Sequence, residues 1–197
     1  MTTLSRKQKV MAGMAALPTS AWLRSCICLA SRLFNTFRLA GLPRHVYNVR
    51  RSRQVLRAIR SFTEPGVAGR CFSYLRQVDP LVFEEVVLSA LEDAGAFVLR
   101  NRRYTGDGGV DGVVWMATHG WIAVQVKRYS GHVNLQHVLK FAQAVRHGKF
   151  GGGLLVHTGR SGRSARTAVH GGGIGLLSGE RLLALVLRRQ LGTWRTE

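Results

Sequence analysis

The chain is poor in acid. Its 197 residues hold 10 Asp and Glu against 29 Lys and Arg, a formal net charge of +19. The deficit is uneven, because Met1 to Thr63 contains no acid and 12 Lys and Arg, and so carries +12. Such a surface implies an anionic partner, either nucleic acid or an acidic membrane. Cysteine is also scarce. Three residues, Cys26, Cys28 and Cys71, exclude a disulfide framework and point to a reducing compartment. Cys26-Ile-Cys28 has no second Cys or His pair at zinc spacing, which argues against a structural zinc. Long apolar runs are missing too. Val10 to Leu23 is uncharged for 14 residues but contains Pro18. It reaches the roughly 20 residues of a bilayer span only by reading on through Arg24 to Ala30, at about 2.5–3.5 kcal/mol for the mid-helix Arg, so a membrane span stays open. No internal repeat is visible.

Hydrophobic residues nonetheless make up 46%, enough for a real core and too many for a disordered basic tail. The breaker Glu64-Pro65-Gly66 suggests a boundary between a basic helical extension, residues 1–66, and a compact α/β body, residues 70–197. In the extension, Trp22, Leu29, Leu33 and Phe37 share one face of an amphipathic helix, with Arg24, Arg32 and Arg38 among Ser and Thr. Three readings stay open for residues 1–63. They are an arm for DNA phosphates, a segment lying on an anionic membrane, and an organellar targeting peptide.

The body opens with a helix start at Asp79-Pro80. Phe83, Val86, Val87, Ala90 and Leu91 follow on an apolar face, and Gly95 closes the helix. Strands are expected at residues 96–99, 110–117 and 121–129, then a helix at 133–146 and a strand at 154–157. A helix at 161–169, a strand at 174–177 and a terminal helix complete the order, a mixed sheet flanked by helices. Seven of the ten acids fall between Asp79 and Asp111. Glu85, Glu92 and Asp93 read as a helix's solvated surface.

Chemistry gathers in two stretches, Gly106-Asp107-Gly108-Gly109-Val110-Asp111-Gly112 and Val124-Gln125-Val126-Lys127-Arg128. Strand alternation puts Gln125 and Lys127 on one face. A hairpin turn centred on His119 pairs residues whose numbers sum to 238, so Asp111 would lie across from Lys127 with Gln125 diagonal. Cross-strand neighbours are about 4.5–5.5 Å apart at Cβ, so a carboxylate, an amide and an ammonium converge. The same placement would also serve a solvated Asp111–Lys127 salt bridge. Asp107 reads as a turn former.

This ordered set resembles the PD-(D/E)xK nucleases, and within them the Mrr-like restriction endonucleases that form the catalytic domain of type IV systems. The likeness covers roughly Leu75 to Leu187. It includes Val82-Phe83-Glu84-Glu85-Val86-Val87, the Gly-Asp-Gly-Gly-Val-Asp-Gly run, Gln125-Val126-Lys127, Val156-His157-Thr158-Gly159-Arg160 and Ile174 to Leu182. The resemblance implies a restriction-endonuclease-like fold and a magnesium-dependent endodeoxyribonuclease, with manganese as an alternative metal. Its substrate would be double-stranded DNA, and its role the restriction of foreign or modified DNA in the cytoplasm. Carried over, Asp111, Gln125 and the Val126 carbonyl hold the metal, Glu84 completes the site and Lys127 is the catalytic lysine. Gln125 in place of an acid leaves Asp111 and Glu84 as the site's only formal negative charges. Arg128, Tyr129, Arg160, Arg163 and Arg166, with His132 and Lys140, are candidate phosphate contacts. A homodimer, a junction-resolving nuclease and a non-catalytic DNA-binding protein on the same fold are the alternatives. The front end lacks the β pattern of a winged-helix reader, which leaves methylation-dependent recognition unassigned.

Overall fold

The computed structural model describes residues 20–63, 65–104, 109–116, 120–170 and 173–191. Four helices come first: α1 (Ala21–Leu39), α2 (Pro43–Arg60), α3 (Val67–Gln77) and α4 (Pro80–Asp93). They are followed by β1 (Phe97–Arg100), β2 (Gly112–Met116), β3 (Gly120–Lys127), α5 (Leu135–His147), β4 (Gly152–His157), α6 (Arg163–His170), β5 (Ile174–Leu177) and α7 (Gly179–Arg188). The strands lie side by side in chain order. β1, β2 and β3 are antiparallel, while β3, β4 and β5 run parallel through the crossover helices α5 and α6.

Alternation along β3 divides the core. Ile122, Val124 and Val126 pack with α2, α3, α4 and α7, whereas Ala123 joins α5 and α6 on the other face. The start of α4 is as expected. The Asp79 carboxylate accepts from the backbone N–H groups of Leu81 and Val82, and Pro80 occupies the first turn, where no donor is lost.

The front of the chain takes part in this core. Val55, Leu56 and Ile59 of α2 are buried with the α4 side chains, so Pro65-Gly66 falls between two helices of one packed cluster. Helix α1 lies along the free edge of β1. Its Ser31 hydroxyl donates to the Val98 carbonyl and accepts from the Val98 N–H. The Asn35 amide donates to the Val98 carbonyl at 2.7 Å and accepts from the Arg100 N–H at 3.1 Å. An exposed strand edge is a row of unpaired donors and acceptors, and here a helix with a polar inner face satisfies them.

Glu85, Glu92 and Asp93, expected on a solvated face, are instead tied into a mostly buried ion network. Arg100, 1% exposed, donates to Glu85 at 2.8 Å, to Glu92 at 2.5 Å and to the Ser89 hydroxyl. Glu92 also receives Arg53, and Asp93 receives Arg32, Arg53 and Arg60. The reason lies in spacing. Glu85, Ser89 and Glu92 recur at i, i+4 and i+7, which puts them on one stripe of α4 facing Arg100. Burial opposes charge on Arg100, but the Glu92 and Glu85 carboxylates more than offset that and raise its pKa further. Burial likewise works against the Glu85 carboxylate, yet His45 and Arg100 hold it below the usual carboxylate range. Three of the front end's twelve cationic side chains, Arg32, Arg53 and Arg60, are therefore paired with acids of α4.

Candidate active site

The β2–β3 hairpin brings two of the singled-out side chains together, in a register that differs from expectation. Gly112 pairs with Val124 and Met116 with Gly120, so partners sum to 236 rather than 238. Gly120, expected in the loop, is the first residue of β3 and takes a φ of +66° there. Asp111 lies just before the paired residues, held to the backbone of Val124 and Val126 and so short of Lys127. Gln125 and Lys127 share one face by alternation along β3.

Asp111 sits just ahead of β2 and is anchored at both ends. Its N–H donates to the Val124 carbonyl at 2.8 Å, and its carboxylate Oδ2 accepts from the Val126 N–H at 2.6 Å. The Val126 peptide thus runs directly beneath the Asp111 carboxylate. Gln125 is 6% exposed, and its amide nitrogen donates to the Gly109 carbonyl at 2.6 Å. Only the nitrogen can donate there, so Oε1 is fixed as the free end of the amide. That oxygen is buried and has no hydrogen-bond partner. An orphaned buried acceptor of this kind calls for a cation or a donor.

Gly109 makes this arrangement available. Its φ is +83°, and a Cβ at this position would stand 2.6 Å from the Gln125 amide nitrogen. Gly109→Ala is expected to leave the fold intact at a backbone cost of about 1–2 kcal/mol. The mobile Gln125 amide would swing aside and release its oxygen from the site. Plasmid cleavage should then fall about tenfold or more, a loss typical of disturbed ligand support. Thermal melting alongside nicking assays would separate the two effects.

Lys127 ends β3, half-buried, and its neighbour in β4 is His157. Glu84 lies near the start of α4, half-buried, where its charge helps raise the pKa of the Tyr104 phenol behind burial and Glu85. Helix α4 packs on the face of the sheet opposite Gln125, so the hairpin does not itself bring Glu84 to Asp111. Asp107, Gly106 and Gly108 lie outside the described residues.

The candidate phosphate contacts divide. Arg128 is committed elsewhere, since its Nη1 donates to the carbonyls of Arg76 and Val78 at the end of α3, at 2.7 and 2.6 Å. Tyr129 is half-buried. Its phenol is paired with His137 Nδ1 at 2.6 Å, and its backbone is clasped on both sides by the Thr158 hydroxyl. Arg160, Arg163 and Arg166 are exposed, as are His132 and Lys140, so these side chains line the open surface after β3 and β4. Those two loops are stitched together. The Arg160 N–H donates to the Gly131 carbonyl, and the Val133 N–H to the Arg160 carbonyl.

His157 was not among the expected site residues. It is fully buried beside Lys127, with Nε2 3.1 Å from the Ser161 hydroxyl. Burial pulls its pKa down to about 4 from 6.5, so it stays neutral next to the lysine. The unfolded chain protonates this imidazole below pH 6.5 while the folded chain does not until about pH 4. Its contribution to stability is therefore full above pH 6.5 and lost as pH falls toward 4, a change of up to roughly 3 kcal/mol. Urea midpoints measured across this window should decline less steeply in His157→Gln than in the unmodified protein.

Among the described residues no three His, Cys, Asp or Glu side chains cluster as a metal cage. What the hairpin presents is a carboxylate and an unpartnered amide oxygen set around the backbone of Val126. Hard oxygen donors of this type suit magnesium, which keeps several of its own waters, and not zinc.

Against known proteins, a family model described as restriction endonuclease, the Mrr catalytic type, matches residues 75–186. The type IV methyl-directed restriction enzyme EcoKMrr of Escherichia coli (strain K12) is 32% identical over 133 residues, which is 64% of this chain and 44% of that protein. The chain thus spans less than half the length of that relative. No solved structure matches.

Proposed function

The chain belongs to the Mrr-type restriction endonuclease family, and from that premise we propose that it is a metal-dependent endonuclease hydrolysing phosphodiester bonds of double-stranded DNA. Its role in this reading is the restriction of foreign or modified DNA. The observation that carries the proposal is the buried, unpartnered Gln125 Oε1, next in the chain to the Val126 N–H that holds the Asp111 carboxylate. Asp111, Gln125 Oε1 and the Val126 carbonyl are the residues that would hold magnesium, while Glu84, on the helix across the sheet, is left out of the set. When bound, the metal polarises a phosphate oxygen and lowers the pKa of a water.

The chain's own residues supply the rest. Gly109 fixes the Gln125 amide so that its oxygen, not its nitrogen, faces the site. The Val126 N–H orients the Asp111 carboxylate. Lys127 brings an ammonium to the same face, where it stabilises charge developing on the phosphate being cut. Exposed Arg160, Arg163 and Arg166 bind the flanking phosphates and position the duplex without reading its sequence. One formal charge fewer than a two-acid site makes the metal weakly held and easily removed.

Supercoiled plasmid incubated with the purified protein and magnesium should be nicked or linearised, and a chelator should stop cleavage completely. Manganese should restore it. Persistent cutting in chelator would remove the metal from the proposal. Tight, salt-dependent DNA binding without cleavage under either metal would leave a DNA-binding protein on a nuclease fold. Comparing methylated with unmethylated plasmid tests the restriction role, and comparing four-way junctions with linear duplex tests the junction-resolving alternative.

A further inference from the structure

Helix α1 is inside out. Its buried face is polar, with Ser31 and Asn35 against the β1 edge, and its outer face is apolar. Trp22 is 75% exposed and Phe37 80%, with Leu29 and Leu33 between them on the same stripe. Residues 22 to 37 at 1.5 Å per residue make the stripe about 22 Å long. It does not end with the helix. Phe34 lies 5.8 Å from the Phe97 ring, Phe97 lies 6.2 Å from Trp121, and Trp115 is the cross-strand neighbour of both. Trp115 and Trp121 are themselves more than 40% exposed. A continuous aromatic and aliphatic face of this extent is not left bare in a soluble monomer without a use.

The charge beside this face selects the partner. A hollow along the flank of α1 gathers Arg24, Arg32, Arg188 and Arg189 around a single acid, Asp93, which Arg32, Arg53 and Arg60 already neutralise. A second copy meeting this surface would bring two acid-free, +12 segments together. Single-stranded DNA would stack on the rings but gain nothing from Leu29 and Leu33. An anionic lipid surface suits all of it, since Trp and Phe favour the headgroup boundary, Leu enters the acyl region and Arg pairs with phosphates. No helix among the described residues is long and apolar enough to cross a bilayer, which fits a helix lying in the plane of the surface.

We propose that the outer face of α1, extended by Phe34, Trp115 and Trp121, docks the protein flat on an anionic membrane surface. Trp121 opens β3 and Lys127 closes it, six residues or about 20 Å away, so DNA can still reach the hairpin. The proposal is independent of metal use at that hairpin.

The test is co-sedimentation of the full chain with vesicles of phosphatidylcholine alone or mixed with phosphatidylserine. The partition coefficient should be at least about tenfold higher with phosphatidylserine, a difference of 1.4 kcal/mol, and should fall with added salt. Trp22→Ser combined with Leu33→Ser and Phe37→Ser should abolish that tenfold gain. These side chains face solvent, so the variant should melt as the parent does and cut plasmid at the parent rate. Vesicle binding unchanged in the variant overturns the proposal, as does absence of binding in the parent. A parent dimer that the variant converts to monomer in sedimentation, without a change in vesicle binding, assigns the face to self-association. Loss of single-stranded DNA binding alone assigns it to nucleic acid, and either result overturns membrane docking.

Discussion

Asp111→Asn should cut plasmid DNA at least about a hundredfold more slowly than the unmodified protein, with its stability nearly unchanged. The substitution keeps an oxygen for the Val126 N–H to donate to, so the 2.6 Å hydrogen bond survives, and removes only the negative charge. Asp111→Ala would also orphan the Val126 N–H and lose about 1–3 kcal/mol of stability, confusing the two effects. Lys127→Ala should lose roughly 10²–10³-fold, the range measured when one preorganised charge-stabilising donor is removed. Lys127→Arg should recover little, because a planar fork does not replace a point charge at a fixed distance. Single-turnover cleavage at saturating protein, read beside DNA binding by gel shift, checks both variants. The expected pattern is binding retained and cleavage lost. Parent-like cleavage by both Asp111→Asn and Lys127→Ala would remove the hairpin from the chemistry.

The largest stability effect should come from a residue remote from that hairpin. Arg100→Met leaves Glu85 and Glu92 buried without their central counter-charge, and truncating one member of a buried ion cluster costs about 3–5 kcal/mol. Urea unfolding should show the midpoint falling accordingly, or no folded protein at all. Adding Glu85→Gln and Glu92→Gln to Arg100→Met should recover a large part of the loss, since neutral amides carry a far smaller burial penalty. A triple variant no more stable than Arg100→Met would mean that the network acts through packing and not through charge. Arg53→Ala should be milder, because its side chain is a quarter exposed and Asp93 keeps Arg32 and Arg60.

The contrast between these two regions shows what could be read from the chain beforehand. The element order from α4 to α7 was legible because each element carries its own period and its own stops. Asp79-Pro80 opens α4 and Gly95, at φ +96°, closes it. The hairpin was legible as a hairpin, and its side-chain faces followed from alternation alone. Its register was not, because the position of a turn depends on whether Gly120 serves the loop or the strand, and a glycine is compatible with both. Glu85 and Glu92 were misread as solvated because two carboxylates on a helix usually face water. The available signal was the 85–89–92 stripe together with a lone arginine in a four-residue strand, Arg100.

Helix α1 was legible as an amphipathic helix with Trp22, Leu29, Leu33 and Phe37 on one face, and only the fold could say which face turns inward. An apolar stripe is normally buried, but a bare strand edge needs donors and acceptors more than it needs hydrocarbon, and Ser31 and Asn35 supply them. Residue types, periodicity and the Gly-Asp-Gly-Gly-Val-Asp-Gly and Gln-Val-Lys runs were thus settled by sequence, because they act over a few residues. The contact of the Asp111 carboxylate with the Val126 N–H, the burial of the Arg100 cluster and the outward turn of α1 were decided by the tertiary structure. Each depends on what a distant segment places opposite.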